Sequence, residues 1–507
     1  MLDLGTSILN SVERIPNASA ITNKNKTLSY IEWFSIIDRL SGSLKDLGLK
    51  KGDKLITLLQ NNFEASSIHW ACQFNGIIII PLNWRIKSPD IDFCIIDSEP
   101  QCIFAQKESL DEMNKSLQAR KLIQLFIDLE TNKPNTFESL IKNGKGGNFP
   151  QAMAEDLSLI LYTSGTTGKA KGVPRTHSAE RSSALAHITQ NLYELKEITL
   201  GVMPLYHTMG IRSLISMTLI NGTFVTQPKF VAEESLELIK KHNITSLYLV
   251  PTLFHELIGL KTFAKEKVET CKKLGFAGAP MSDGLIQRVI ECFQPKQLVN
   301  HYGSSEIYTF TVDQNAEKKP GSAGKSGINQ RIRVVKLGSQ NPEEINKINV
   351  EGEIIADLKS DEAFSGYWKR PDADQKSIIN NWYFTNDMGY FDEEGDLFVT
   401  GRVDDMIITG GENVSPIEIE NVLSLHKNIL EVVVVGIPDE KWGQKICAFI
   451  IKSSNITTEN LDKFCKKSGL TNFKRPQAYC FIKEIPKSPT GKILRRKLLA
   501  GEYSIDK

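Results

Sequence analysis

The sequence predicts an α/β protein: a large N-terminal domain of two α/β sheet lobes plus a β-rich lobe, then a small C-terminal α+β domain. Three observations point there. The chain has 507 residues, too many for one simple core at roughly 100–200 residues per domain. Short β-branched runs alternate with amphipathic stretches over most of the length, the texture of largely parallel sheets with crossover helices. Near residue 330 this gives way to short strands joined by turns, and beyond Arg402 to a basic α+β stretch.

The elements follow in order. Residues 54–59 (KLITLL) read as a buried strand, 62–74 as a helix and 76–82 (GIIIIPL) as the next strand. Residues 102–105, 123–129, 157–161, 245–250 and 273–277 are further strands between helical patterns. In the β-rich lobe, 332–336, 352–357, 389–391 and 396–400 read as short strands. Ser415-Pro416-Ile417-Glu418 marks a helix start, with Ser at the N-cap, Pro at N1 and Glu at N3 completing a capping box. Strands at 431–436 and 444–452, a helix near 458–467 and a strand at 478–482 close the chain. The domain boundary falls at Asp404, giving 1–403 and 404–507. There is no internal repeat.

Hydrophobic residues are 41% and charged residues 24%, which excludes a largely disordered or fibrous chain. Net charge is +1, so the global balance gives no support to a nucleic-acid partner. Charge is unevenly spread, however. Residues 440–507 hold fifteen Lys or Arg against six acids, leaving the first 439 residues at −8; a tail at +9 suits an anionic ligand. Cys72, Cys94, Cys102, Cys271, Cys292, Cys447, Cys465 and Cys480 form no C-x-x-C pair and read as reduced thiols of a cytoplasmic protein. Residues 1–14 lack an apolar signal region, and the longest apolar run, 76–82, is far short of the roughly 20 residues a membrane helix needs.

Four segments carry chemistry. Residues 161–172 (LYTSGTTGKAKG) follow a strand with six consecutive Gly, Ser or Thr residues and two lysines. Backbone N–H groups and hydroxyls in such a loop cradle phosphate oxygens, although the register is not that of a Walker A loop. In Tyr302-Gly303-Ser304-Ser305-Glu306, a glutamate after small hydroxyl residues suits Mg²⁺ beside phosphates. Residues 382–389 (WYFTNDMG) and 401–405 (GRVDD) supply Asp387 for ribose hydroxyls and Arg402 for phosphates. Residues 486–492 (PKSPTGK) place Lys492 after a glycine in the basic domain, as a mobile point charge. Taken singly, the last three are commonplace: a surface glutamate, a turn aspartate and a surface lysine.

In this order and spacing the four segments resemble the adenylate-forming superfamily of acyl-CoA synthetases, adenylation domains and luciferases, over essentially the whole chain. Residues 203–207 (MPLYH), 402–412 (RVDDMIITGGE) and 472–476 (NFKRP) carry a closer resemblance to aryl-CoA ligases of the 4-chlorobenzoate:CoA ligase type. The resemblance implies an ATP-dependent carboxylic acid:CoA ligase using ATP, Mg²⁺ and coenzyme A, acting first by acyl-AMP formation and then by thiolysis. It implies that Lys492 bridges carboxylate and α-phosphate, with Glu306 and His207 beside it, and that Thr163 and Glu306 hold the metal. Thr163, Ser164, Gly165, Thr166, Thr167, Gly168 and Lys171 would cradle phosphates. Gly278, Ala279, Pro280 and Tyr302 would enclose adenine. Ser305 stands where the family has threonine. Asp387 and Arg402 would take the ribose side.

A mobile small domain would rotate about Asp404, bringing residues 410–413, Gly411 among them, to line the thiol channel, where a side chain would block passage. Arg85, Trp442, Phe473 and Arg475 would hold coenzyme A; Gln477 replaces a basic residue usual in the subgroup, a contact Lys474 could supply. His207, Thr208, Met209, Tyr248, Ala277, Gly278, Tyr308 and Thr309 would form the acyl pocket. Two tyrosines at its far end suit an aromatic or short-to-medium acid. His207 read alone is as well a packing histidine. The alternatives are a ligase preferring longer fatty acids, or one loading a carrier protein; the residues 205–209 lack the aspartate that amino-acid activation commonly uses. A non-catalytic regulator would lack the lysine. The expected partners are a small carboxylic acid, ATP and CoA, with no nucleic acid and no transmembrane segment, in a monomer or homodimer.

Overall fold

The computed structural model describes residues 1–23, 26–127, 135–163, 170–487 and 493–506. Three sheets organise the chain. The first has six strands in the order Ile123–Phe126, Cys102–Ala105, Lys54–Leu58, Ile78–Pro81, Leu157–Thr163, Lys171–Thr176. All neighbours are parallel except the last pair. Ile78–Pro81 and Cys102–Ala105 are buried at every position, which is why they read as unbroken apolar runs. The expected helix at 62–74 is Phe63–Asn75, capped by Asn62, whose side chain accepts from the Ala65 N–H; all thirteen of its residues are buried. It lies within a core that draws Leu55 and Ile79 from the first sheet and Ile21 and Phe224 from the second.

The second sheet has a parallel centre in the order Ser19–Asn23, Thr223–Thr226, Ile198–Gly201, Ser246–Leu249, Lys273–Ala277, Gln297–Tyr302. It does not stop there. Thr311–Asp313 pairs antiparallel with Gln297–Tyr302 and with Ser322–Ser326, which pairs with Leu397–Arg402. The β-rich lobe is therefore an antiparallel continuation of the second sheet rather than a free-standing one. The short strand expected at 389–391 is the end of a longer one, Trp382–Phe391.

The small domain has its own core of Ile407, Val414, Ile419, Leu423, Val434, Ile446 and others, as a domain should. Its sheet runs Glu412–Val414, Ile407–Thr409, Gly443–Lys452, Ile429–Asp439, with Ala478–Phe481 beside Gly443–Lys452. The helix Pro416–Ser424 starts where expected, but the capping box is not formed: Ser415 makes no cap hydrogen bond. Its hydroxyl donates instead to the Thr400 carbonyl, and Glu418 binds the Lys474 ammonium at 2.7 and 2.9 Å. Both side chains have stronger partners than the helix end. The eight cysteines are free thiols. Among the described residues no helix is long and apolar enough to cross a membrane.

Candidate active site

The segments singled out by sequence collect at the carboxyl ends of parallel strands, where open α/β sheets bind ligands. Gly303 follows Gln297–Tyr302, Gly278 follows Lys273–Ala277, Val250 follows Ser246–Leu249, and residues 202–207 follow Ile198–Gly201. Thr163 ends its strand in the first sheet.

Asp387 sits where Trp382–Phe391 bulges, its register partner being Arg402. A bulge re-aims a side chain. The Tyr302 hydroxyl donates to Asp387 Oδ2 at 2.7 Å, and Arg402 Nε lies 3.6 Å from Oδ1. Burial, and after it the Asp387 carboxylate, push the Tyr302 phenol well above its ordinary range. It stays a neutral donor. Asp387 is thus hydrogen-bonded by Tyr302 and ion-paired with Arg402, and the three form one polar group.

A second group stands beside it. Lys171 pairs in register with Thr163, whose hydroxyl donates to the Lys171 carbonyl at 3.4 Å. The Lys171 ammonium lies 4.1 Å from the centre of the Tyr367 ring, and the Tyr367 hydroxyl donates to Glu306 Oε1 at 2.7 Å. Burial pulls the Lys171 ammonium below its usual range, with Glu306 opposing. Glu306 is 7% exposed and is locked from behind: its N–H meets Ser304 Oγ at 3.2 Å, and its carbonyl accepts from Arg175 at 3.1 Å. Gly303 is required by close approach, since a Cβ there would lie 2.1 Å from the Tyr308 carbonyl oxygen. Sequence reasoning missed Tyr367; nothing local distinguishes it from a core tyrosine.

Ser164, Gly165, Thr166, Thr167, Gly168 and Lys492 lie outside the described residues. The segment carrying Lys492 is bracketed by an antiparallel bridge between Lys487 and Ile493. Lys487 binds Glu431 at 2.8 Å, and Glu431 faces His255 of the large domain at 3.8 Å. Two residues after that bridge, Arg495 grips Glu420 at 2.7 and 2.9 Å. Asp404 belongs to a single 3₁₀ turn, Val403–Asp405, between the two domains' sheets.

Mg²⁺ keeps few protein ligands, typically one or two carboxylates plus substrate phosphates. Glu306, with one oxygen held by Tyr367 and Thr163 across Lys171, fits that need; no group of three or more His, Cys, Asp or Glu that could hold a metal occurs among the described residues.

His207 caps the helix Thr208–Leu219, its Nδ1 accepting from the Met209 N–H at 3.3 Å. A neutral imidazole so used carries its proton on Nε2. Met209 and Val250 flank Gly278, which has φ +84°; Gly278 and Pro280 are exposed and Ala279 half-buried, a small apolar ledge. Tyr248, Tyr308 and Thr309 are buried. Between them lies a residue that the motifs did not single out, Arg212. It donates to Thr309 Oγ1 at 2.5 Å and to the Tyr248 hydroxyl, and its guanidinium is 5.9 Å from the Tyr308 ring. An arginine within the apolar run 208–219 was the available signal.

Of the expected coenzyme A contacts, Arg85 stacks on Trp84 at 3.8 Å and lines a cavity of about 220 Å³ with Tyr206, Lys229 and Phe230. Trp442 and Phe473 are exposed, 47% and 41%. Arg475 is held by Asn472 at 2.8 Å. Gln477 has a structural task, accepting from the Ile446 N–H at 2.6 Å, and Lys474 is engaged by Glu418 as noted. Gly410 and Gly411, with φ of 60° and 85°, form the two-residue turn of a hairpin in which Thr409 faces Glu412. That turn needs positive φ at both positions, so the glycines have a backbone reason besides an open channel.

Tyr302 and Glu306 bring the two polar groups together at and just beyond the carboxyl end of one parallel strand, Gln297–Tyr302. The chain belongs to the AMP-binding enzyme family, which matches residues 9–368, and the AMP-binding enzyme C-terminal domain matches 418–492. A 4-chlorobenzoate–CoA ligase of Arthrobacter sp is 29% identical over 501 residues, covering 96% of this chain and 93% of the relative. A 2-succinylbenzoate–CoA ligase of Bacillus licheniformis is 30% identical over 492 residues, covering 96% and 97%. An o-succinylbenzoate CoA synthetase from Bacillus subtilis, solved with its acyl-adenylate intermediate, superposes with a TM-score of 0.83 at 25% identity, covering 97% of each chain. The protein is an AMP-forming acid–thiol ligase, and its co-substrates are ATP and coenzyme A.

Proposed function

We propose that the enzyme activates an aromatic or short-to-medium carboxylic acid, with Mg²⁺, through acyl-AMP to acyl-CoA. The observation that carries this reading is the adjacency of the Tyr302–Asp387–Arg402 and Lys171–Tyr367–Glu306 groups, with Arg402 close enough to act on the Lys171 charge and with both carboxylates acting on Tyr383. Asp387 would accept from the ribose hydroxyls. Arg402 and Lys171 would offset charge building on the phosphoryl oxygens, the term that dominates such chemistry. Mg²⁺, held by Glu306 and Thr163, would neutralise the phosphates. Lys492 would orient the attacking carboxylate. The buried Tyr248 and Tyr308 support a pocket too short for a long chain. In the second half-reaction Arg85, Trp442, Phe473 and Arg475 would hold coenzyme A, whose phosphates suit the basic tail.

With ATP, Mg²⁺, CoA and a fitting acid the protein should release AMP and pyrophosphate. ADP and inorganic phosphate in their place would sink the adenylate route. Substituting a carrier protein's phosphopantetheine arm for CoA tests the alternative acceptor, and palmitate tests the longer-chain alternative.

A further inference from the structure

Arg212 is 2% exposed, and among the described residues no carboxylate lies within ion-pair distance of it. Its hydrogen-bond partners are the neutral hydroxyls of Thr309 and Tyr248, and among the described residues its buried Nε has no hydrogen-bond partner. Arg175, by contrast, has a carboxylate partner, Glu180, at 2.6 Å. Glu362, buried close enough to act on Arg212, accepts from Asn329 at 3.1 Å with one oxygen, and among the described residues its other oxygen has no hydrogen-bond partner. The imidazoles behind Tyr248, His187 and His301, are held well below their usual range by burial and add no negative charge. A buried guanidinium donor without an acceptor is costly, and a ligand oxygen reaching it would remove that cost.

Arg212 sits among residues of the proposed acyl pocket. Arg212 lies one helical turn beyond Thr208 on the helix Thr208–Leu219, hence on the same face. Both residues it bonds, Tyr248 and Thr309, belong to the proposed acyl pocket, and Tyr308 lies under it. The far end of that pocket, which the sequence reads as two aromatic rings, is therefore a cation held between them.

We infer that Arg212 reads the end of the acid remote from the reacting carboxyl group, and that the substrate bears an oxygen acceptor there, a hydroxyl, carbonyl or second carboxylate, rather than ending in hydrocarbon. This rests on the acid-pocket reading given above. A hydrocarbon end would cover Nε without satisfying it; an oxygen would satisfy it. Sites built to bond a polar group reject analogues lacking it by up to about 10⁴–10⁵-fold. Here two of the arginine's bonds are already made by the protein, so a smaller preference, of about tenfold or more, is expected.

The test compares kcat/KM for AMP release in two size-matched sets: 4-methylbenzoate, 4-hydroxybenzoate and terephthalate; heptanoate, 6-hydroxyhexanoate and adipate. In at least one set an oxygen-bearing acid should exceed its methyl counterpart about tenfold, and Arg212→Met should abolish that preference with KM for ATP unchanged. The hydroxyl and carboxylate arms distinguish a neutral acceptor from an anionic one. Turnover of the hydrocarbon acids alone, of no acid in either set, or an undiminished preference in Arg212→Met overturns the inference. The wild-type series decides the matter even where that variant does not fold. Nucleotide analysis separates the two readings: ADP release with the oxygen preference intact would sink the adenylate route but not Arg212, whereas AMP release with hydrocarbon preferred would do the reverse.

Discussion

Asp387 shows how one side chain can be prepared for a ligand by its neighbours. Its N–H is tied to Thr385 Oγ1 at 3.0 Å, Tyr302 donates to one carboxylate oxygen, and Arg402 faces the other. The carboxylate is thus already oriented, which would lower the ordering cost of binding the proposed nucleotide. Asp387→Asn keeps the shape but turns an acceptor-only group into a partial donor. Losing a charge-assisted bond of about 1.5–3 kcal/mol should raise KM for ATP by roughly 10–100-fold. Tyr302→Phe, which removes the orienting donor but leaves the carboxylate, should cost less. Steady-state kinetics with saturating acid checks both; an unchanged KM for ATP in Asp387→Asn would remove the residue from the ribose site.

At the scale of elements, strands buried on both faces were the most legible part of the chain, because nothing interrupts their apolar runs. Ile78–Pro81 and Cys102–Ala105 are cases in point. The continuation of the second sheet was not legible, since it depends on pairings between short segments such as Thr311–Asp313 and Ser322–Ser326 that local patterning cannot specify. The glycine- and hydroxyl-rich motifs that carry the proposed site were equally readable as motifs. Arg212 and Tyr367 were not, because their roles arise from neighbours distant in sequence. The Gly410–Gly411 turn lies between these cases: the glycines stand out, but the physical reason for them includes backbone φ, and this shapes the test of domain alternation. Leucine at 411 would strain the turn whatever the channel does. Asparagine tolerates positive φ, so Gly411→Asn should fold normally, slow thioester formation from supplied acyl-AMP, and largely spare adenylate formation. Lys492→Ala should do the opposite, losing orders of magnitude in adenylate formation. Single-turnover rates of each half-reaction decide: equal losses in both halves for both variants would argue against one site served by two domain positions.

Over the whole molecule, four buried imidazoles should make stability fall in mild acid. His69 has neither ring nitrogen hydrogen-bonded among the described residues, and burial, with His177 adding to it, lowers it to about 3. His177 accepts from the Leu4 N–H at 3.2 Å and is lowered by burial to about 4. His187 and His301 are also held well below the usual value by burial. The sign follows from linkage. Well above pH 6.5 these groups are neutral in both folded and unfolded chains and contribute no pH dependence. As pH falls below 6.5 the unfolded chain takes up protons that the folded chain refuses, so stability declines, and it goes on declining until the folded values near 4 and 3 are reached. Each group contributes at most about 1.4 kcal/mol per pH unit. Urea midpoints should therefore fall steeply between pH 6.5 and 5, before most carboxylates titrate. His69→Leu removes one such group from a site where both nitrogens lack partners. It should flatten the slope by roughly one group's share while leaving stability at pH 8 equal or higher. A wild-type stability that is flat from pH 6.5 to 5, or an unchanged slope in His69→Leu, would show that the imidazoles are protonated within the fold.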